Sequence, residues 1–237
     1  MIGSNAKDNH LLAALPESVF QRWSPELKWM EMPLGAVLYE CGESPRYVYF
    51  PTTAIASLLH VMENGASAEI AVVGKEGMIG VSSFLGGGTS SGRALIQIGG
   101  EGFKMPAEVL KKETDRSIAV LRVMLRYTQA LMAQIAQTAA CYRHHSLEQR
   151  LCRWLLLSLD RIDGDGLEMT QQLIADMLGV RRESVTETAR KLQETHCIRY
   201  ARGHITVLNR QELEKRCCEC YTVVHQEYDR LLPAPGG

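Results

Sequence analysis

Residues 170–208, TQQLIADMLGVRRESVTETARKLQETHCIRYARGHITVL, hold the side chains best suited to chemistry with a polyanion. Arg182, Glu183, Thr186, Glu187 and Arg190 fall at steps i, i+1, i+4, i+5 and i+8, one face of a helix, with donors and acceptors able to reach base edges and phosphates. Ile174, Met177, Leu178, Val185, Ala189 and Leu192 recur at helical spacing and predict a shared core for two helices. Ala175 is small where those helices must approach, and Gly179 stands where the chain must turn sharply. A hairpin follows at once, CIRY and HITVL joined around Arg202-Gly203. This order is that of a winged helix-turn-helix, and the chemistry it implies is binding to duplex DNA. An ordinary helical hairpin with a solvated charged face is the competing reading, and the Ala, Gly and wing positions count against it.

The elements that must position this segment are legible upstream. Residues 34–105 carry short strand signals broken by turn residues: GAVLYE, the CGESP turn, YVYFPTTAIASLLHVM, ENGAS, AEIAVVG, KEGMIG, GRALIQIG and GFKM. Their spacing predicts an antiparallel barrel or roll, with GGGTSSG at 86–92 as a loop tip. From Ala107 to Tyr142 there is no Gly or Pro, and the composition turns to Ala, Leu, Met, Gln and Arg, which predicts a long helix. On it Leu125, Thr128, Met132, Ile135, Ala139 and Tyr142 alternate three and four apart, a short coiled-coil seam suited to self-association. A further helix, SLEQRLCRWLLLSLDRI, is expected to start at an N-cap Ser146 and to pack under the helix-turn-helix through Leu147, Leu151, Trp154, Leu155 and Ser158. A last helix over 210–232 would place Leu213, Cys217, Cys220, Val224, Tyr228 and Leu231 on one stripe.

At 237 residues the chain suits one large or two modest domains. The formal net charge of −1 hides a division: residues 1–109 hold 7 Lys and Arg against 11 Asp and Glu, and residues 170–216 hold 9 against 6. Positive charge therefore gathers where phosphate affinity is expected. The opening MIGSNAKDNH has no signal-peptide pattern. Gln129, Gln134 and Gln137 interrupt the best apolar stretch before it reaches the ~20 residues of a membrane span, so a cytoplasmic protein with no membrane partner is expected. Seven scattered cysteines then read as reduced thiols.

The order of these elements resembles the Crp/Fnr family of bacterial transcription regulators, the cyclic-AMP receptor type. The residues that carry the resemblance are Gly74-Lys75-Glu76-Gly77-Met78-Ile79-Gly80 and Gly179-Val180-Arg181-Arg182-Glu183-Ser184-Val185-Thr186, the second similar to the family's Arg-Glu-Ser/Thr-Val core. The implied fold class is α+β: an antiparallel β-roll sensor over 1–115, a dimerisation helix and hinge over 116–145, and a winged helix-turn-helix with its C-terminal helix over 146–237. The resemblance implies that Arg182 donates to guanine and Glu183 accepts from a cytosine amino group. It makes Arg181, Ser184, Thr170, Gln172, Gly203 and His204 phosphate contacts, and places Thr186, Glu187 and Arg190 on the same reading face. A homodimer on a pseudo-palindromic operator is implied, with RNA polymerase as a further candidate partner.

Departures from the family pattern shift the expectations. Glu187 stands where cyclic-AMP receptors carry a second reading arginine, and Gln171 stands where an arginine is expected early in the first helix, so the operator should differ. In the roll, Gly80-Val81-Ser82 lacks the glutamate that holds the ribose hydroxyl. Ser90-Ser91 occupies the place of the phosphate-binding arginine, with Arg93 close by. Ile135-Ala136 replaces the Thr-Ser pair that touches the purine. A buried cyclic phosphate without its arginine is a costly anion, so cyclic AMP of the usual kind is not expected, and the effector is left unknown with no cofactor implied. Two alternatives stay open: a ligand-sensing module acting on a protein partner, favoured by Glu187 and Gln171, and a cyclic-nucleotide-responsive regulator.

Other clusters are weaker. Cys217-Cys218-Glu219-Cys220 looks metal-like, but helical spacing puts Cys217 and Cys220 on the apolar stripe and turns Cys218 away, so core packing is expected and no metal. Only Cys41 precedes Cys141, which removes the iron–sulfur ligand pattern of the family's oxygen sensors. His144-His145 point roughly a hundred degrees apart on a helix and read as a solvated hinge pair. Asp160, Asp163 and Asp165 fail the calcium-loop spacing and read as a polar turn. No P-loop, G-x-S-x-G, HExxH or dinucleotide fingerprint is present, so no enzyme is expected.

Overall fold

Alternating aromatic and β-branched residues, punctuated by Gly, Ser and Pro, fold into seven strands among the described residues of the first half of the chain. They are β1 (Lys28–Met32), β2 (Val37–Tyr39), β3 (Tyr47–Pro51), β4 (Ile55–Val61), β5 (Ser67–Val73), β6 (Arg93–Ile98) and β7 (Gly100–Pro106). The computed structural model describes residues 5–232; the outermost residues of the first and last expected domains, 1–4 and 233–237, lie outside the described residues. Every pairing is antiparallel, in two sheets of order β1-β7-β3 and β2-β6-β4-β5. The long apolar run over residues 47–62 is two strands, β3 and β4, parted at Thr52–Ala54. KEGMIG, read from sequence as a strand piece, is instead a turn in which only Ile79 bridges to Tyr49.

Two short helices, α1 (His10–Ala13) and α2 (Glu17–Trp23), cover one end of the roll and bury Leu11, Leu12, Val19 and Trp23 in its core. Beyond the roll the expected single helix is two, α3 (Ala107–Arg116) and α4 (Ile118–His144). Ser117 adopts an extended conformation between them, and its side chain caps α4 by accepting from Val120 N–H. Propensity alone could not show this break, because Ser is tolerated within helices yet favoured at their N-caps.

The Gly-rich turn 74–80 is where the roll receives the rest of the chain. A Cβ on Gly77 would stand 2.5 Å from Tyr127 Cε2 of α4, and one on Gly74 would stand 2.9 Å from the Cβ of Arg161. Tyr127 is fully buried, and its hydroxyl donates to the Met78 carbonyl at 2.7 Å.

The C-terminal half builds α5 (Leu147–Leu159), β8 (Gly166–Glu168), α6 (Gln171–Leu178), α7 (Arg182–Glu194), β9 (Ile198–Ala201), β10 (His204–Val207), α8 (Arg210–Arg216) and α9 (Cys220–Leu231). Ser146 does cap α5, in a reciprocal capping box with Gln149. Residues 151–159 are buried without interruption, wider than the single inner face expected, because α5 lies between the roll and the helix-turn-helix. On the roll side it meets a buried polar chain in which Gln97 donates to Ser158 Oγ at 3.2 Å and Ser57 touches both Gln97 and Glu69. The expected last helix over 210–232 is likewise broken, between Arg216 and Cys220, where Cys217 turns to an extended conformation.

Candidate nucleic-acid interface

The helix-turn-helix forms as its apolar periodicity dictates. Ile174, Ala175, Met177 and Leu178 of α6 bury against Val185, Ala189 and Leu192 of α7, together with Leu151, Leu155 and Leu156 of α5. Full burial of a Leu or Ile side chain contributes roughly 1.5–3 kcal/mol, so this face fixes the angle between the two helices. Gly179 ends α6 in the left-handed region at φ 62°, a conformation costly to residues with a side chain. Its turn packs on the β4–β5 hairpin, where its Cβ position lies 3.7 Å from that of Ala68.

The opposite face of α7 is open. Arg181, Arg182, Glu183, Thr186, Glu187 and Arg190 are exposed, as are Thr170, Gln172 and His204, while Ser184 and Gly203 are half-buried. Several are already engaged locally. Thr170 caps α6 by accepting from Leu173 N–H at 3.2 Å, and Gln172 donates to Asp176 at 2.8 Å. Arg190 pairs with Glu194 at 2.5 Å. Glu187 pairs with Lys191 at 2.9 Å; hydrogen bonding to that ammonium, with its charge, holds the carboxyl below the usual range, so it stays ionised yet offset. His204 lies 3.8 Å from Glu168 in the wing. Helical surface pairs of this kind contribute only a few tenths of a kcal/mol and exchange readily for a phosphate partner.

A groove runs between the start of α6, the start of α7 and the wing, lined by Thr170, Gln171, Gln172, Arg182, Tyr200, Arg202 and Gly203. Gln171, Tyr200 and Arg202 were not among the sequence-derived contacts. Gln171 accepts from the Thr186 hydroxyl at 2.7 Å, which ties the two helices together at this mouth. Tyr200 donates to the Met169 carbonyl at 2.8 Å, fixing the wing against the helix start. Arg202 and Gly203 form the two-residue turn between β9 and β10, with φ of 51° and 80°. Positive φ at both positions is the hairpin geometry that favours Asn-Gly and disfavours an arginine, so Arg202 holds an uncommon conformation at the wing tip. The Arg-Gly dipeptide between two short apolar runs was the signal that could have found it.

The expected effector residues have different local partners. Gly80 is buried at φ 103° beside Tyr47 and Val48, followed by Val81 and by Ser82, whose buried hydroxyl has no partner among the described residues. Ser90 and Ser91 instead lie against the 40–43 turn: Gly42 N–H donates to the Ser90 carbonyl at 2.8 Å and the Cys41 thiol to that of Ser91 at 3.4 Å. Arg93 pairs with Glu40 at 2.7 Å. The cavity on this flank is lined by Tyr39, Glu43, Arg46, Tyr47 and Tyr49, among others, and by none of the eight expected residues. On α4 the side chain that meets the roll is Gln134, which spans the Val72 N–H and carbonyl, while Ala136 is exposed and Ile135 half-buried.

Along the expected seam Leu125, Met132 and Ala139 are exposed and Ile135 is partly so. Two positions turn inward. Thr128 is buried, its hydroxyl donating to the Met124 carbonyl, and Tyr142 donates to the Met177 carbonyl at 3.1 Å, linking α4 to the helix-turn-helix. A strict heptad count misplaces them because α4 also has to pack on the roll and on α9.

The cysteine reading needs the largest correction. Because the chain breaks between α8 and α9, Cys218 does not follow helical spacing: it is buried and faces Cys141 at 3.6 Å. His145 is not a solvated hinge residue, for its side chain is only 16% exposed.

The comparisons with known proteins agree with this geometry. The family of Crp-like helix-turn-helix domains matches residues 149–216. The "Global nitrogen regulator" of Synechococcus elongatus is 25% identical over 214 residues, covering 86% of this chain and 95% of that protein. The solved structure of FixK2 from Bradyrhizobium japonicum aligns with a TM-score of 0.68 at 18% identity, covering 81% of this chain and 98% of its own. A transcriptional regulator of the crp/fnr family from Eubacterium rectale aligns with a TM-score of 0.66 at 18% identity, covering 86% and 96%. Among the described residues no helix is long and apolar enough to cross a membrane. With its two-sheet antiparallel roll and its long helix, the chain has the fold of the crp/fnr regulators it is similar to, and residues 149–216 are a Crp-like helix-turn-helix domain.

Proposed function

We propose that the chain is a cytoplasmic homodimeric regulator that reads a pseudo-palindromic duplex site through α7, and that its roll does not take cyclic AMP in the usual way. The observation that carries the first part is the groove joining Arg182, the capped start of α6 and the strained Arg202 at the wing tip. Donors from three elements line it, a set suited to a base-edge contact flanked by phosphate contacts. The exposed apolar positions Leu125 and Met132 of α4, 47% and 64% accessible, support self-association through that helix. Glu187, which would repel phosphate, is offset by Lys191, and this weakens the case for a scaffold that has given up DNA.

Selection from random duplexes is expected to enrich a roughly palindromic site, with affinity falling steeply as salt rises. Absence of enrichment, or salt-insensitive binding, overturns the proposal. Arg182→Ala is expected to relax specificity at one base pair of each half-site, losing about 1–3 kcal/mol there. Arg202→Ala should weaken all sequences alike.

The effector part rests on the roll's departures from the cyclic-nucleotide pattern, Val81-Ser82 and Ser90-Ser91. Calorimetry with cyclic AMP and cyclic GMP is expected to show no binding. A micromolar dissociation constant for either would contradict it.

A further inference from the structure

We propose that Cys141, His145, Cys218 and Cys220 form a mononuclear tetrahedral metal site of zinc type, at the hinge between the long helix and the DNA-binding domain. Their ligand atoms all lie within 4.8 Å of one another, and the three cysteines are buried. The Cys141 and Cys218 sulfurs are 3.6 Å apart, and Cys220 Sγ is 3.5 Å from His145 Nδ1. A tetrahedral ion with bonds of about 2.3 Å to sulfur and about 2.05 Å to nitrogen requires edges of about 3.8 Å and about 3.6 Å. The donors therefore already stand near the separations that one ion imposes. An iron–sulfur cluster, whose irons lie between its ligands, needs its cysteines further apart.

Local sequence explains how the four residues meet. Cys141 and His145 are one turn apart at the end of α4, and His145 leaves the helix in an extended conformation that frees its ring. Cys218 lies in the break between α8 and α9, and Cys220 opens α9. The three buried cysteines form a cluster distinct from the two hydrophobic cores, with Cys217 packed against both it and the core of the C-terminal half. Thiols serving as small hydrophobes would be merged with a core.

The surroundings are those of a metal ligand set. His145 presents Nδ1 to the sulfurs and Nε2 to Glu219 Oε2 at 3.3 Å, the carboxylate–histidine relay that orients metal-bound imidazoles. Gln137 Nε2 lies 3.0 Å from Cys220 Sγ, as a donor to a thiolate does. Three thiolates around a divalent ion leave one negative charge, and the buried Arg153, which donates to Thr138 on the same turn of α4, offsets it. A soft tetrahedral set of three sulfurs and one imidazole nitrogen selects zinc over calcium or magnesium.

The full chain, purified under reducing conditions, is expected to carry about one zinc per chain. After removal of zinc it should take up cobalt(II) with the intense visible bands and thiolate charge transfer of a tetrahedral thiolate site. Cys141→Ser and Cys218→Ser should abolish that spectrum, and Cys217→Ser should keep it. Should the ligand variants fail to fold, Glu219→Gln on the surface decides: roughly 10–100-fold weaker zinc binding is expected, with the cobalt spectrum kept. Lack of a cobalt spectrum in the wild-type chain overturns the proposal. So does equal loss in Cys217→Ser, iron with acid-labile sulfide in the anaerobic protein, or undiminished zinc affinity in Glu219→Gln.

Discussion

Glu76→Ala is expected to destabilise the folded chain by about 3–5 kcal/mol, the loss typical of stripping a buried charge of its partner. Glu76 lies in the Gly-rich turn of the roll, and its Oε1 accepts from Arg161 Nε at 2.7 Å. The two side chains are 17% and 6% exposed, so water cannot replace the carboxylate. Arg161 follows α5, in the C-terminal half of the chain, and would be left with its bond to the Leu157 carbonyl at 2.6 Å and its approach to the Tyr228 ring, neither of which is an anion. For a chain of this size the loss amounts to a fall in the unfolding midpoint on the order of 10 °C. The neighbouring Lys75–Asp163 pair is a built-in control, because Asp163 is 95% exposed at a separation of 3.5 Å. Asp163→Ala should change stability by less than about 1 kcal/mol. Glu76→Ala combined with Arg161→Met should recover most of the loss, since it removes the orphaned charge along with its partner. A single variant within about 1 kcal/mol of wild type would show that the pair does not hold the roll to the C-terminal half.

The same turn shows what the sequence could and could not reveal. Gly74 and Gly77 were legible as a motif, but the reason for them was not: Arg161 and Tyr127 press on them from residues 87 and 50 positions away. The helix-turn-helix was legible because its signals are local, an apolar period, a turn glycine and a following hairpin within 39 residues. Arg202 was missed since backbone sign at a hairpin turn depends on register, which the sequence only hints at. The sulfur cluster was misread for a different reason. Spacing arguments assume an unbroken helix, and the break at Cys217 rotated Cys218 inward. For the effector residues, a family pattern carries loops along with strands, so the bonds between Ser90 and the 40–43 turn were not legible.

Glu69→Gln is expected to remove a pH dependence of about 3 kcal/mol from the stability of the chain. Glu69 sits on β5, wholly buried under α5, and burial pushes its carboxyl from 4.5 up to about 7 against the pull of Ser57, Arg153, Trp154 and Arg161. The hydrogen bonds agree with a protonated acid. Ser57 Oγ lies 2.5 Å from Glu69 Oε2 and also touches Gln97 Oε1, and one hydroxyl proton cannot serve two acceptors. Gln97 is oriented by donating its amide to Ser158, so its oxygen needs the Ser57 proton. Glu69 must then supply its own proton to Ser57. A folded-state pKa above the unfolded value gives stability that is whole below about pH 4.5 and is lost as pH rises through about 7. At about 1.4 kcal/mol per pH unit across that interval the loss reaches about 3 kcal/mol. Glutamine keeps a donor and an acceptor at the same place without the charge. The difference in unfolding free energy between the Glu69→Gln variant and wild type should be near zero at pH 4.5 and should grow in favour of the variant until about pH 7. Taking that difference cancels other titrations, among them His10, whose burial lowers its pKa and acts in the opposite sense as pH falls. Denaturant unfolding of both proteins from about pH 4.5 to about pH 8 measures it. A constant offset would mean that Glu69 is ionised in the folded chain, with Arg153 and Arg161 as its countercharges.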